Sequence, residues 1–335
     1  MDHREKLNNI TATLLKEGID FKELESAIRA YMAMLLELSG LDLYDEPNRE
    51  NIYLNNGVAL GTSWAALCVE DLVRTKQLIR GIANAVKDIK SRKKDPIHIL
   101  YAGSGPFATL VLPILSRYSE KELQVTLIEI HPVSAINAVK VIKQLGFENH
   151  IKNVIQEDAT TYQFNENTDF DIIVCETMQH ALVREQQVPI MLNLIPQLKN
   201  DIQIIPQSVQ VDLGLLNTST EVAKDKSHET IATLMKFDRH FIMNALQNQN
   251  DSAFLMEKTI ALPKNRLKHY DKIVLLTRLE VYGDIVIEHD QSGLTIPKLI
   301  FNTSQIRPEE THIHIYYRLQ PEPMFGYEIK ESVAI

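Results

Sequence analysis

Apolar residues recur at helical spacing through residues 2–40. Leu7, Ile10, Leu14 and Leu15 mark one face, and FKELESAIRAYMAMLLELSG repeats the pattern until Gly40 stops it. A polar stretch with Pro47, Asn55, Asn56 and Gly57 reads as loop. From Trp64 to Lys90 a second helical pattern places Leu67, Leu72, Leu78, Ile79, Ile82, Val86 and Ile89 on one broad face. It ends in the solvated run KSRKKDP, where Pro96 breaks the helix.

Then the period changes. Short apolar runs at 97–102, 125–130, 151–156, 171–176 and 201–206 read as strands, with helix-length segments at 106–119, 132–146 and roughly 183–199 between them. Buried strands alternating with helices predict a parallel, doubly wound α/β sheet, whose ligands bind at the carboxyl ends of the strands. After Pro206 the runs SVQVDLGLL, KIVLLTRLEVYG, DIVIEHD, IPKLIF, HIHIYYRL and FGYEIK follow one another with no crossover helix. They predict an antiparallel sheet or barrel. One insertion, about 218–250, reads as helical. The expected organisation is an N-terminal helical segment (1–60), an α/β domain (61–206) and an antiparallel β-barrel domain (207–335).

Charge narrows the partners. In 335 residues, Lys+Arg number 35 against Asp+Glu 44, a net charge of −9. A surface that neutralises nucleic-acid phosphates needs clustered surplus Lys and Arg, so no nucleic-acid partner is expected, whereas a cationic ligand is welcome. Cys68 and Cys175 lie far apart in apolar runs, without metal-ligand spacing, and read as buried thiols in a reducing compartment. MDHREKLNN lacks the apolar core of a signal peptide, and no run of 18 apolar residues spans a membrane. The expected location is cytoplasmic.

The first strand ends in ILYAGSGPFATL, where Gly103 and Gly105 allow backbone to approach a ligand at a strand-to-helix turn. A dinucleotide fingerprint needs a third glycine near 107 or 108, and Phe107 and Ala108 stand there, so pyrophosphate fits poorly. A tight structural turn is the alternative reading. Glu129, ending the second strand, can accept both hydroxyls of a ribose, or simply face solvent. Asp158 follows the third strand, where a polar side chain can meet an adenine edge. Together these features resemble class I S-adenosyl-L-methionine-dependent methyltransferases, whose cofactor has ribose and adenine but no phosphate.

Glu176 ends the fourth strand and Glu185 lies nine residues on, in CETMQHALVRE. On one continuous helix that spacing is ~900°, which puts the carboxylates on opposite faces. They converge only if the chain turns back, and then a cation is needed between them. A planar guanidinium with five N–H donors suits two carboxylates better than an ammonium.

Two glutamates so spaced resemble the double-glutamate loop of the protein arginine methyltransferase family. Three further segments are similar to that family's: VEDLVRT (69–75), with Asp71 and Arg74 in register; IIPQ (204–207), the junction whose proline is usually cis; and THI (311–313), resembling a Thr-His-Trp loop. The resemblance covers roughly residues 60–335. It implies a Rossmann-like class I methyltransferase domain followed by a β-barrel, with S-adenosyl-L-methionine as cofactor and S-adenosyl-L-homocysteine as product. It further implies that Glu176 and Glu185 hold a guanidino substrate. Arg74 would pair with the cofactor's methionine carboxylate, and Asp71 and His312 would meet and steady Glu185. It also implies a homodimer, made by an arm from the barrel; the apolar Ile231, Leu234, Met235, Phe241, Ile242 and Leu246 in the insertion fit that role. No metal site is expected.

The chain also departs from the family pattern. Ile313 replaces Trp, Tyr101 replaces an acidic residue at the end of the first strand, and Cys68 and Gln187 replace methionines of the asymmetric-dimethylating members. The N-terminal helices lie outside the catalytic-core pattern. Cys68 and Gln187 leave the product type open, whereas the extra N-terminal helices and the loss of the Trp favour a small guanidino substrate, L-arginine first, over arginine in proteins. Methylation of another small nucleophile and a non-catalytic cofactor-binding scaffold remain as further alternatives.

Overall fold

A computed structural model describes residues 2–165, 169–218, 227–247 and 254–331. The N-terminal pattern forms two helices, α1 (His3–Leu15) and α2 (Phe21–Ser39). The Asp20 carboxylate accepts from Glu23 N at 3.1 Å to start α2, and Gly40 ends it in the left-handed region at φ 66°. A small hairpin follows, β1 (Ile52–Leu54) and β2 (Gly57–Ala59). The helix expected from Trp64 is divided into α3 (Thr62–Leu67) and α4 (Leu72–Lys90). The break falls at Asp71, which leaves the helical region and caps α4 by accepting from Arg74 N at 3.1 Å.

The α/β domain continues through β3 (Ile97–Ala102), α5 (Leu112–Leu115), β4 (Leu123–Ile128), α6 (Pro132–Gln144), β5 (Ile151–Ile155), β6 (Ile172–Cys175), α7 (Gln187–Leu194) and β7 (Gln203–Ile205). The sheet order is β5-β4-β3-β6-β7, parallel throughout. The chain leaves β3 toward β4 and β5, then returns to β6 on the other side. Such a reversal opens a crevice at the strand carboxyl ends. The helix expected over 106–119 is reduced to α5, because Ala108 takes a left-handed φ of 49° and breaks the run after Pro106.

The chain enters its second half through a cis Ile205–Pro206 peptide, as the junction motif implied. There follow β8 (Ser208–Leu216), β9 (His228–Asp238), α8 (Arg239–Gln247), β10 (Met256–Ala261), α9 (Lys264–Leu267), β11 (Lys272–Tyr282), β12 (Ile285–Ile287), β13 (Lys298–Asn302), β14 (Glu310–Arg318) and β15 (Met324–Glu331). All pairing here is antiparallel, but among the described residues it forms two sheets rather than one closed barrel. One has the order β12-β11-β8-β9 with β13 also on β11, and the other β10-β14-β15.

The helical insertion expected at 218–250 is corrected in the same region. Residues 228–238 form a strand along β8, and only α8 is helical; 219–226 and 248–250 lie outside the described residues. Leu234, Met235 and Ile242, assigned above to an intermolecular arm, are buried in this chain's own core. The apolar argument for the arm therefore loses its basis.

Nor do α1 and α2 stand apart as a separate segment. Tyr31 donates to Thr109 O at 2.7 Å, Arg4 donates to Leu145 O at 2.6 Å, and Lys140 reaches Ser39 O. Lys76 on α4 is 2% exposed and donates to Thr13 O, Leu14 O and Lys16 O, carbonyls at the end of α1. The α1–α2 pair braces the loop after β3 and the end of α6.

Candidate active site

A cleft opens at the carboxyl ends of β3, β4 and β6, lined from all three strand ends, the place where sheets of this kind bind ligands. Gly103 and Gly105 form its floor with left-handed φ of 71° and 63°. A Cβ on Gly103 would fall 2.1 Å from Thr177 Cγ2, so only glycine fits that turn.

Glu129 stands beyond β4, 8% exposed. Its Oε2 accepts from Gly105 N at 2.7 Å and its Oε1 from His131 N at 2.9 Å. Burial raises the carboxyl's pKa, and these backbone donors oppose the rise. Each oxygen keeps a lone pair, which is what two vicinal hydroxyls require. Asp158 also lines the cleft, with Oδ1 accepting from Thr160 N at 2.8 Å.

Glu176 and Glu185 converge because the chain does turn back. Gln187 closes the loop: its N donates to Thr177 O at 2.9 Å, its Oε1 accepts from Thr177 N at 2.9 Å, and its Nε2 donates to Cys175 O at 2.9 Å. Gln187 thus holds the loop rather than lining the cleft. Between the glutamates, Ala181, Leu182 and Arg184 all take left-handed φ, of 57°, 52° and 65°. Such backbone costs on the order of 1–3 kcal/mol per residue and persists only where surroundings enforce it. Here the antiparallel half enforces it: Tyr317 donates to Leu182 O at 2.5 Å, Ala181 N donates to Thr277 Oγ1 at 2.8 Å, and Arg184 N donates to Pro323 O at 2.7 Å. From the other side Val58 N donates to Arg184 O at 2.9 Å, and Gln186 Nε2 donates to Asn56 Oδ1 at 2.6 Å. The β1–β2 hairpin therefore roofs the loop.

The electrostatics follow from this enclosure. Glu176 and Glu185 are each 8% exposed. Arg74, reaching in from α4, donates through Nε to Glu176 Oε2 at 2.8 Å and through Nη2 to the same oxygen. The other oxygen, Glu176 Oε1, is buried and has no hydrogen-bond partner. Burial pushes the Glu176 pKa up to about 7, Arg74 opposes this, and Glu185 adds to it. Burial likewise raises Glu185, against the pull of Arg74. Burial works against the Arg74 charge, but Glu176 beside it holds the guanidinium above its ordinary pKa. Two buried carboxylates facing one internal cation leave room for a second cation.

The expected pairing of Asp71 with His312 is absent. Asp71 Oδ2 accepts instead from Ser292 Oγ at 2.7 Å and Gly293 N at 2.8 Å, in the loop between β12 and β13. His312 lies on β14, opposite Ala261 and Lys330, with Nδ1 2.8 Å from Thr311 Oγ1, and does not line the cleft. Ile313 is fully buried in that sheet, so it replaces no aromatic wall at the substrate. The cleft thus brings together Arg74, Gly103, Gly105, Glu129, Asp158, Glu176 and Glu185, while Asp71 ties α4 to the antiparallel half. Sequence reading missed the roofing residues Val58 and Leu60 and the Asp71–Ser292 tie. Tyr101 and Cys68, noticed only as departures, also line the cleft. Among the described residues no group of three or more His, Cys, Asp or Glu is placed to hold a metal ion, and no helix is long and apolar enough to cross a membrane.

A parallel α/β domain followed by an antiparallel domain matches the fold of solved protein arginine methyltransferases. The PRMT1 enzyme–prozyme heterotetrameric complex of Trypanosoma brucei with AdoHcy superposes with a TM-score of 0.51 at 14% identity, covering 80% of this chain and 92% of that one. Protein arginine methyltransferase 10 of Arabidopsis thaliana, in an open conformation, gives 0.53 at 11% identity, covering 79% and 92%. At these identities the likeness is one of fold.

No family model matches the chain. An uncharacterized protein of Methanocaldococcus jannaschii is 33% identical over 125 residues, 37% of this chain and 44% of that protein. Another, of Methanothermobacter thermautotrophicus, is 36% identical over 122 residues, 36% and 43% respectively. The chain spans less than half the length of these relatives.

Proposed function

We propose that the protein is an S-adenosyl-L-methionine-dependent N-methyltransferase acting on a guanidino group, with free L-arginine as the first substrate to test. One observation carries the reading: among the described residues Glu176 Oε1 is buried without a hydrogen-bond partner, beside Glu185, while the Arg74 cation of the cleft already occupies the other oxygen. A fixed planar cation satisfies both carboxylates at once. The cofactor assignment is supported by the glycine floor, by the lone pairs of Glu129 toward a ribose, and by Asp158 beyond β5. The AdoHcy in the trypanosomal complex supports it further.

S-adenosyl-L-methionine, when bound, supplies an electrophilic methyl group. The chain's own residues do the rest. Glu176 and Glu185 orient the guanidinium and draw its positive charge toward the nitrogens not being methylated, so that positioning and electrostatic complementarity carry the catalysis. Arg74, with five donors, can hold Glu176 and a ligand carboxylate together. Glu185, which burial leaves easier to protonate than an ordinary carboxylate, accepts the proton the methylated nitrogen sheds.

The hairpin roof over Glu185 favours a small substrate, and the likeness to protein arginine methyltransferases favours arginine within a chain. Labelled cofactor offered free L-arginine and an Arg-rich peptide side by side decides between them. Label on the guanidino nitrogen of free arginine supports the proposal. Label on the peptide alone transfers it to proteins, and label on neither refutes the guanidino reading.

Two further results are expected. Glu129→Ala weakens cofactor binding by roughly 1.5–3 kcal/mol, the worth of a charge-assisted hydrogen bond; calorimetry showing unchanged affinity would remove the ribose contact. The second concerns pH. Glu176 titrates near 7, so below that it is the neutral acid and cannot balance a cation, and above it the carboxylate can. The KM for the guanidino substrate is therefore expected to fall about tenfold from pH 6 to pH 8 at saturating cofactor. A KM that is flat or rises over that range contradicts the assignment.

A further inference from the structure

Tyr101, on the central strand β3, has no role in the account so far. It is 5% exposed and lines the cleft, yet no hydrogen bond among the described residues uses its hydroxyl. A tyrosine this deep ordinarily gives its O–H a partner. The chain's other fully buried tyrosines follow that rule, Tyr31 donating to Thr109 O at 2.7 Å and Tyr317 to Leu182 O at 2.5 Å. An unpartnered phenol facing a ligand cleft points to a partner on the ligand.

Strand register says which part of the ligand. Tyr101 lies opposite Leu127 on β4 and Val174 on β6. One residue past the ends of those strands come Glu129 and Glu176, and both line the cleft together with Tyr101. Neighbouring strands are ~4.8 Å apart, so the two carboxylates face each other across β3 at roughly 10 Å. Just past the end of β3, Gly103 turns left-handed and offers no side chain between them. The Tyr101 phenol lines the same cleft and lies within electrostatic reach of both carboxylates. The charged and titratable neighbours the phenol senses are those of the cleft: Glu176, Arg74, Glu129 and Cys68.

A cofactor held by its ribose at Glu129, and delivering a methyl group to a nitrogen held at Glu176, carries its sulfur between the two. We propose that the Tyr101 hydroxyl oxygen contacts the sulfonium methyl group and aims it at the guanidino nitrogen. The contact rests on the cofactor reading above. The positive sulfur polarises the methyl C–H bonds; a neutral phenol oxygen accepts from them without adding a third carboxylate, and its own hydrogen can turn toward Glu176, a carboxylate within its electrostatic reach. Tyr101 is on this view a positioning residue.

The test compares two ligands that differ only at the sulfur. S-adenosyl-L-homocysteine has the same ribose, adenine, ammonium and carboxylate, but no methyl group and no positive charge on sulfur. Calorimetry on Tyr101→Phe is expected to show S-adenosyl-L-methionine bound about fivefold more weakly than by the wild type, the worth of a polarised C–H···O contact. Binding of S-adenosyl-L-homocysteine should change less than twofold, which also certifies the fold of the variant. Equal weakening of both ligands would place the hydroxyl at the amino-acid end and overturn the proposal, as would no change in either. A wild type that binds neither ligand would overturn the cofactor reading itself, an outcome distinct from any of these.

Discussion

Glu185→Gln lowers turnover on arginine by several hundred-fold or more while leaving cofactor affinity almost unchanged. Removing one partner of a desolvated charge cluster costs ~3–5 kcal/mol, and at 1.36 kcal/mol per factor of ten that is the expected loss. Glutamine keeps the shape of Glu185 but halves the compensating charge, and its amide N–H groups point donors at a donor. Glu176→Gln should lose as much turnover. It also strips Arg74 of its ion-pair partner, so Glu185→Gln is the cleaner variant. If these were two ordinary surface glutamates, stability would shift by about 0.5 kcal/mol or less and turnover would not move. Side-by-side kinetics and cofactor calorimetry check the claim, and near-wild-type turnover in either variant contradicts it.

Arg74→Ala is the second large effect, and it is a loss of stability that depends on pH. The side chains of Arg74 and Glu176 are only 15% and 4% exposed, so their pairing is little screened by solvent. The sign is set by Glu176, whose folded pKa already sits above its ordinary value. Ionising it opposes folding as pH rises, and Arg74 offsets that opposition. Without Arg74 the Glu176 pKa climbs further, and each additional unit costs 1.36 kcal/mol at pH values above it. Because wild-type Glu176 titrates near 7, the pH-dependent part of the gap reaches only about 1.4 kcal/mol by pH 8, on top of whatever packing the truncation loses. Toward pH 5, where Glu176 is protonated in both proteins, the difference should shrink to lost packing. Denaturant unfolding at the two pH values measures this; a gap that stays constant or widens toward pH 5 contradicts it.

The α/β half was legible because its signals are local. Strand runs such as IHILYA and DIIVCE alternate with helices, and the strand ends carry Gly103, Glu129 and Glu176 to one edge of the sheet. The antiparallel half misled where its strand period is interrupted. Register shifts between Val211 and Asp212 and between Leu213 and Gly214 let β9 bury Leu234 and Met235 in succession, and with Ile231 they imitate a helical face. Ala108 explains the shortened helix after β3, since no spacing rule announces a left-handed alanine. The Asp71–His312 expectation failed for another reason. A three-residue match fixed on a strand position, whereas the residues that meet Asp71 lie 221 and 222 positions along the chain in a loop with no such signature. The two-glutamate loop was readable as a conditional: its residues could be named, but what bends it is Tyr317, Thr277, Pro323 and Val58, all distant in sequence.

The central claim is that the cleft is built for a guanidinium cation, and citrulline is its sharpest probe. Citrulline matches arginine in length and shape but ends in a neutral urea, so it presents the same contacts without the charge. Calorimetric titration of each into the protein saturated with S-adenosyl-L-homocysteine at pH 8, where Glu176 is ionised, compares them directly. The account predicts that arginine binds at least ~100-fold more tightly, since a neutral group leaves two buried carboxylates without their counter-charge. Equal affinities for arginine and citrulline would contradict it.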